Sequence, residues 1–374
     1  MRAVYEVNLY IDGTLIGNIS EMAQGLTWAK RRTKSGVDTI DFTVNDVILD
    51  NWCKARNTTL ANILKPYALT CIVSRNGIDV IGGFLATMPG YSPKGTSADL
   101  QMRFDGWMNL LAGVYIYPTA TQTAPMGALA SQYIQMADSR ATAAGKAFGF
   151  TEGTISTMEQ VDQTFENYKP VKEFLTDRCD NTTGAGPFDV YWHPDKTYDV
   201  IKDSEFGDVI SDYVIRYPAQ QISVSATTIS ASEVSGFASK IIALGAGEVS
   251  YDPDQNTVIT DEEMDSTAVT TYGYCENLIQ ESSISRITTL ARKATTELYN
   301  ASNVKWEPQI TLSGMQVEPR PNGTGKIWVG DTVQIFNQED MTGQTSGLFR
   351  VNELSVARSA EGGEIVTPVL ERVV

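Results

Sequence analysis

The stretch 252–263, DPDQNTVITDEE, holds the most specific pattern of oxygen donors in the chain. Asp252, Asp254 and Asn256 occupy alternate positions and Glu263 ends the run, the spacing of a calcium loop between two helices. Two residues work against that reading. Thr257 stands where such a loop turns on glycine, and Pro253 is its second residue. The flanks read as strand and loop. We therefore expect a solvated acidic loop, with a weak divalent-ion site on Asp252, Asp254, Asn256 and Glu263 as the alternative. His193 is the single histidine, so any histidine-based triad would have to use it. It precedes Pro194 in a turn, which favours a solvated role. One histidine and no paired cysteines nearly exclude zinc. Cys53, Cys71, Cys179 and Cys275 are far apart and read as free thiols of a reducing cytoplasm. Carboxylates are abundant, and among 45 acidic residues pairs arise by chance. Glycosidase chemistry needs two at a set separation in one groove. The expectation is no catalytic residue and no cofactor.

His193 belongs to the stretch Tyr168–Ile201, around which the chain is organised. Pro170 sits where a helix can begin, and Val171, Phe174 and Leu175 share a helical face. Residues 181–186 break the helix. Phe188, Val190 and Trp192 then alternate with Asp189, Tyr191 and His193, which is strand spacing. His193-Pro194-Asp195-Lys196 is turn chemistry, and Tyr198 and Val200 resume the alternation. A short helix beside a two-stranded hairpin cannot bury its apolar face alone, so something larger must hold it.

Short strands surround it. Residues 4–11 alternate and end in Asp12-Gly13; residues 68–75 and 78–85 flank Asn76-Gly77, a strong hairpin signal. Strand patterns at 26–30, 38–44 and 100–104 complete a small β-barrel over the first 115 or so residues. Residues 59–64 read as a helical turn or two. After Pro125, residues Met126, Leu129, Ala130, Tyr133, Ile134 and Ala137 follow helical spacing. From Asp203 the strand pattern returns, at 209–214, 222–229 and 240–245. Residues 248–268 read as a long polar loop, and a helix is predicted from about Ser283. Strands at 309–312, 326–329, 333–336, 348–354 and 365–370 follow. The predicted fold is mainly β with an α/β insertion: barrels over 1–118 and 203–374 flank a helix–hairpin segment, 119–202.

Several stretches carry a family likeness. TYGYCENLIQESSISRITTLARKATTELYNAS, residues 271–302, resembles a segment of phage tail hub proteins. KIWVGDTVQIF, residues 326–336, is similar to their late strand pair, and 348–351 with the last alternating segment matches how they end. The likeness is to the siphophage baseplate hub, or N-terminal tail-associated protein, and to the central hub of contractile-tail baseplates. It implies two tudor-like barrels per subunit, a homotrimer, and a pseudo-sixfold ring joining a hexameric tube to a threefold tip. The implied partners are distal tail, tail-tube, tape measure, and tail-tip or receptor-binding proteins. The implied place is the tip of the virion tail, assembled in the host cytoplasm, with roles in DNA ejection and host attachment.

The formal charge of −16 argues against general nucleic-acid binding, which needs a lysine and arginine excess. It suits a channel wall past which genome DNA moves without specific binding. The N-terminus lacks a long apolar run, so no signal peptide is expected, and no stretch is long enough to span a membrane. The competing reading is an acidic, β-rich cell-wall hydrolase.

Overall fold

The computed structural model describes residues 3–94, 97–117, 119–165, 168–179, 187–217, 226–233, 237–247, 257–282, 284, 286–302, 306–313, 327–338, 346–358 and 363–373. They form a mainly β fold with an α/β insertion. The chain divides into two compact units. The first comprises Met1–Asp180, Ala185–Ser230 and Pro308–Val374, and the second is built on Ala231–Glu307.

Among the described residues the first unit is organised by a fourteen-stranded sheet that stays open along its pairing path. Its early strands are hairpins. Tyr5–Ile11 turns back through Asp12-Gly13, at φ 49° and 78°, and Leu69–Arg75 through Asn76-Gly77, at φ 51° and 77°. Two successive positive φ values match the twist of antiparallel strands, which is why Asx-Gly pairs sit there. The strand Gln24–Arg31 joins the two halves of the chain. On one side it pairs with Thr39–Asn45, and on the other its residues Thr27–Arg31 pair with Glu353–Ala357. The long strand Gly347–Arg358 also pairs with Thr332–Asn337 and Glu364–Arg372. One core therefore draws on both halves, from Val7, Trp28, Ile40 and Phe104 to Phe349, Leu354 and Leu370.

The insertion has a second core. The helix Met126–Ala143 buries Leu129, Ala130, Tyr133, Ile134 and Ala137, and the helix Val171–Cys179 buries Phe174 and Leu175. Both pack on a small sheet in which Thr197–Lys202 lies between Phe188–Trp192 and Thr151–Ile155. The tip of the hairpin closes on the large sheet. A Cβ at Gly82 would stand 2.4 Å from the carbonyl oxygen of Pro194, so only glycine allows that approach.

The second unit is a three-stranded sheet, Thr260–Met264, Lys240–Leu244 and Glu276–Gln280, with the helix Ile287–Ser302 on one face. Ile241, Ala243, Leu290, Ala294 and Leu298 form its core. A strand and the helix Ser266–Tyr272 thus occupy part of what the polarity of 248–268 marks as loop. Asp265 caps that helix, accepting from the amides of Thr267 and Ala268. Of the strand predicted at 326–329, the described residues 327–329 form no strand. Ile327 forms a single bridge, and the chain then turns at Gly330, φ 93°. The Asp331 carboxylate fixes the turn by accepting from the amides of Trp328 and Asp208 at 2.8 and 3.0 Å. Among the described residues no helix is long and apolar enough to cross a membrane.

Candidate functional site

Where Gln24–Arg31 leaves the sheet, five consecutive residues, Lys30 to Lys34, meet the insertion and the C-terminal strands. Lys30 is 1 % exposed. Its ammonium donates to Asp38 at 2.6 Å and to the Trp192 carbonyl, and it lies 4.6 Å from the centre of the Tyr191 ring. Burial pulls its pKa down, but the charge of Asp38 and the Tyr191 group outweigh this and hold it above the ordinary lysine range. Arg31 grips Glu353 through two nitrogens, at 2.8 and 3.0 Å. Arg32, 3 % exposed, donates to Asp189 at 2.9 Å, to Asp203, and to the Asn352 side chain at 3.3 Å. Burial lowers the Arg32 pKa, yet Asp189 and Asp203 raise it further, so the guanidinium stays charged.

The same carboxylates are used from other sides. The Thr33 amide donates to Asp189 at 3.0 Å, and the Thr33 hydroxyl accepts from the Val190 amide at 2.8 Å. Asp203 also accepts from Arg350, whose guanidinium reaches the carbonyls of Asp203 and Phe206. Lys34 pairs with Glu371 at 2.5 Å, and Glu371 accepts from Asn352. Three distant parts of the chain are thus tied at one buried ionic junction. Burying ions is costly, and this arrangement offsets the cost by giving them hydrogen-bonded partners. Its chemistry is positional: each of these carboxylates already faces a cation.

His193 sits at the hairpin turn. Its amide donates to Thr197 and its carbonyl accepts from Lys196, which adopts φ 71°. The ring Nε2 is 2.7 Å from Asp199 and meets the Tyr191 ring edge-on at 4.9 Å. Burial pushes the Asp199 carboxyl up, but His193 and the Thr154 amide outweigh it and hold the group below the ordinary range. This histidine–aspartate pair orients a turn. A lowered pKa means that Asp199 adds stability above the ordinary aspartate range, and loses it as pH falls through the lowered value. We expect Asp199→Asn to lower the urea midpoint at neutral pH and the gap to wild type to close in strong acid. A gap that widened on acidification would contradict the pairing.

Three thiols, Cys53, Cys71 and Cys179, are buried, and burial raises the pKa of Cys53 and Cys71, which makes them poor nucleophiles. Cys275 is exposed. A groove of about 460 Å³ on the large sheet is lined by residues including Thr43, Met88, Gln101 and Arg103, with Asp41 as its only acidic wall residue. Burial raises the Asp41 pKa against the pull of Arg103. Of the calcium-loop candidates, Asp252, Asp254 and Asn256 lie outside the described residues. Glu263 lies in the strand Thr260–Met264, paired with Ile241. Among the described residues no cluster of three or more metal-ligating side chains forms. Calorimetry of the protein with calcium is expected to show no heat at millimolar concentration; heat that vanished in Glu263→Gln would reverse the solvated-loop reading.

The sequence matches no family model and no curated protein. Solved structures do match. A tail protein from Neisseria meningitidis MC58 superposes with a TM-score of 0.63 at 13% identity, covering 98% of this chain and 96% of that one. The 43 kDa tail protein of prophage MuSo2 from Shewanella oneidensis gives 0.63 at 12% identity, with 98% of both chains covered. The chain has the fold of these tail proteins. Prophage tail protein gp18 from Listeria monocytogenes EGD-e shares it at a TM-score of 0.56 and 9% identity, over 97% of this chain and 94% of that one. The tail-protein likeness read from the sequence therefore holds at the level of fold. The ionic junction carried no motif. Arg31, Arg32, Asp189, Asp203 and Arg350 are scattered over 320 residues, and the only local hint was a run of basic residues, Lys30–Arg32, closing a strand.

Proposed function

We propose that this chain is a structural hub of a bacteriophage tail, without enzymatic activity of its own. What supports the reading is the fold, shared with tail proteins along almost the whole length of both chains. In this reading three copies close a ring at the tail tip. Each contributes two β modules, from 1–118 and 203–374, so a threefold protein presents six similar modules to a hexameric tube. The insertion, 119–202, stands to one side of the ring. Cyclic closure keeps strand edges from open-ended association. The partners are distal tail, tail-tube and tape measure proteins on one side and tail-tip or receptor-binding proteins on the other.

The net charge of −16 gives the ring a second task. Acidic groups facing the axis repel phosphates, so genome DNA leaves without sticking. Light scattering after size exclusion is expected to give a trimer mass, and particle imaging three subunits around the axis with both modules in one layer. A single copy per particle, or modules stacked along the axis, would overturn the hub reading. A neutral or basic axial surface would overturn the channel role alone.

A further inference from the structure

Three tyrosines and an arginine stand together in the first unit, where the chain enters the insertion. Tyr115, Tyr117 and Tyr168 are 46, 52 and 63 % exposed. Their backbones are joined by a short ladder in which Ile116 pairs with Lys169 and Tyr115 with Pro170. Arg140 reaches them from the last turn of the helix Met126–Ala143. Its Nη1 donates to the Tyr115 carbonyl at 2.6 Å, and its guanidinium lies 4.0 Å from the centre of the Tyr117 ring. Tyr117 in turn meets Tyr168 edge to face at 5.2 Å. Guanidinium, ring and ring form one stack, fixed from two elements.

The charge around this stack is what points to an occupant. Among the described residues Arg140 meets no carboxylate within ion-pair distance, although the chain carries 45 acidic residues against 29 basic ones. The neighbouring Lys169, by contrast, is tied to Asp177 and Glu173. A cation in the last turn suits the helix dipole, which explains its charge but not the exposed rings beside it. One anchored N–H leaves the rest of the guanidinium fork open to a planar, two-oxygen acceptor. Tyrosine and arginine are the residues in which protein interfaces concentrate binding energy, and rings already held in place lose little freedom on docking. Nucleic acid is a poor candidate for a chain of charge −16.

We propose that Tyr115, Tyr117, Tyr168 and Arg140 form a docking surface for a short acidic segment of a different protein of the same tail. Its carboxylate pairs with the open edge of Arg140, and its apolar side chains cover Tyr117 and Tyr168. The inference rests on the tail reading given above. Its test uses a photo-crosslinking residue, p-benzoylphenylalanine, at position 168 in protein assembled into tail particles. The expected product joins this chain to a peptide of another tail protein that carries Asp or Glu near the crosslink. Arg140→Glu should cut the yield by about tenfold or more, with Arg140→Gln intermediate; both variants stay folded, and Arg140→Glu lowers the thermal unfolding of the isolated protein only slightly, by the lost dipole and carbonyl contacts. A crosslink to a second copy of this chain, to a peptide without acidic residues, or to nothing in intact tails would overturn the proposal. So would a yield indifferent to Arg140→Glu. Absence of the chain from purified tails would instead sink the tail reading, and the docking surface with it.

Discussion

Asp189→Ala should cost the first unit about 3–5 kcal/mol, the range for removing one member of a buried ion pair. Asp189 is 1 % exposed and stands against Arg32, which is 3 % exposed. Without the carboxylate, Arg32 keeps only Asp203 as a counter-charge, and the Thr33 amide loses its acceptor. Both groups would remain out of water. Asp203 cannot move to help, because Arg350 holds its second oxygen. Calorimetric unfolding should therefore show the first unit melting well below wild type. Joint replacement, Arg32→Met with Asp189→Leu, should recover part of the loss, since it removes the stranded charge along with its partner. A single substitution that left the unfolding temperature unchanged would mean the junction carries little of the stability that its burial implies.

The same junction shows what was legible in the sequence. The hairpin 188–202 follows from Phe188, Val190, Trp192, Tyr198 and Val200, because strand alternation is a local property that needs no partner. The helices at 126–143 and 171–179 follow from apolar spacing and from the prolines ahead of them. Partner choice is different. Nothing in the run LTWAKR says that its second neighbour is the strand at 347–358, more than 300 residues later. That pairing is decided by which strands complete a shared core and place Arg31 against Glu353. Asp189 reads locally as the polar face of a strand. Only the fold shows that this face points into the junction.

Polarity misled in two places. Residues 260–264, TDEEM, look like loop, yet they form a strand, because pairing with Lys240–Leu244 satisfies the backbone whatever the side chains are. KIWV looks like strand, yet Gly330 and Asp331 convert its end into a turn. For the candidate site the limit was more general. A lone residue such as His193 stands out in the sequence by its type, but a positional site has no motif. Its members are ordinary surface residue types that become distinctive only when buried together.

Trp107→Ala should be comparably damaging, about 3–5 kcal/mol for a buried tryptophan, and should act on the insertion. Trp107 follows the strand Ser97–Gly106 and is 2 % exposed. Its indole N–H is shared between the carbonyls of His193 and Pro194, at 3.1 and 3.2 Å. Its ring packs where Gly82 lets the hairpin tip come close, with Lys196 5.1 Å from its centre. One side chain thus fills core volume and pins the turn that carries His193. Trp107→Phe separates the two tasks, keeping most of the volume and losing the donor. The His193 carbonyl keeps its bond from Lys196, whereas Pro194 is left without the indole, so a loss of about 1–3 kcal/mol is expected. Hydrogen exchange reads the difference. In Trp107→Phe, amides of 188–202 should exchange faster while those of 126–143 stay protected, and in Trp107→Ala both should loosen. If Trp107→Phe exchanged like wild type through the hairpin, the indole bonds would contribute nothing to holding it against the sheet.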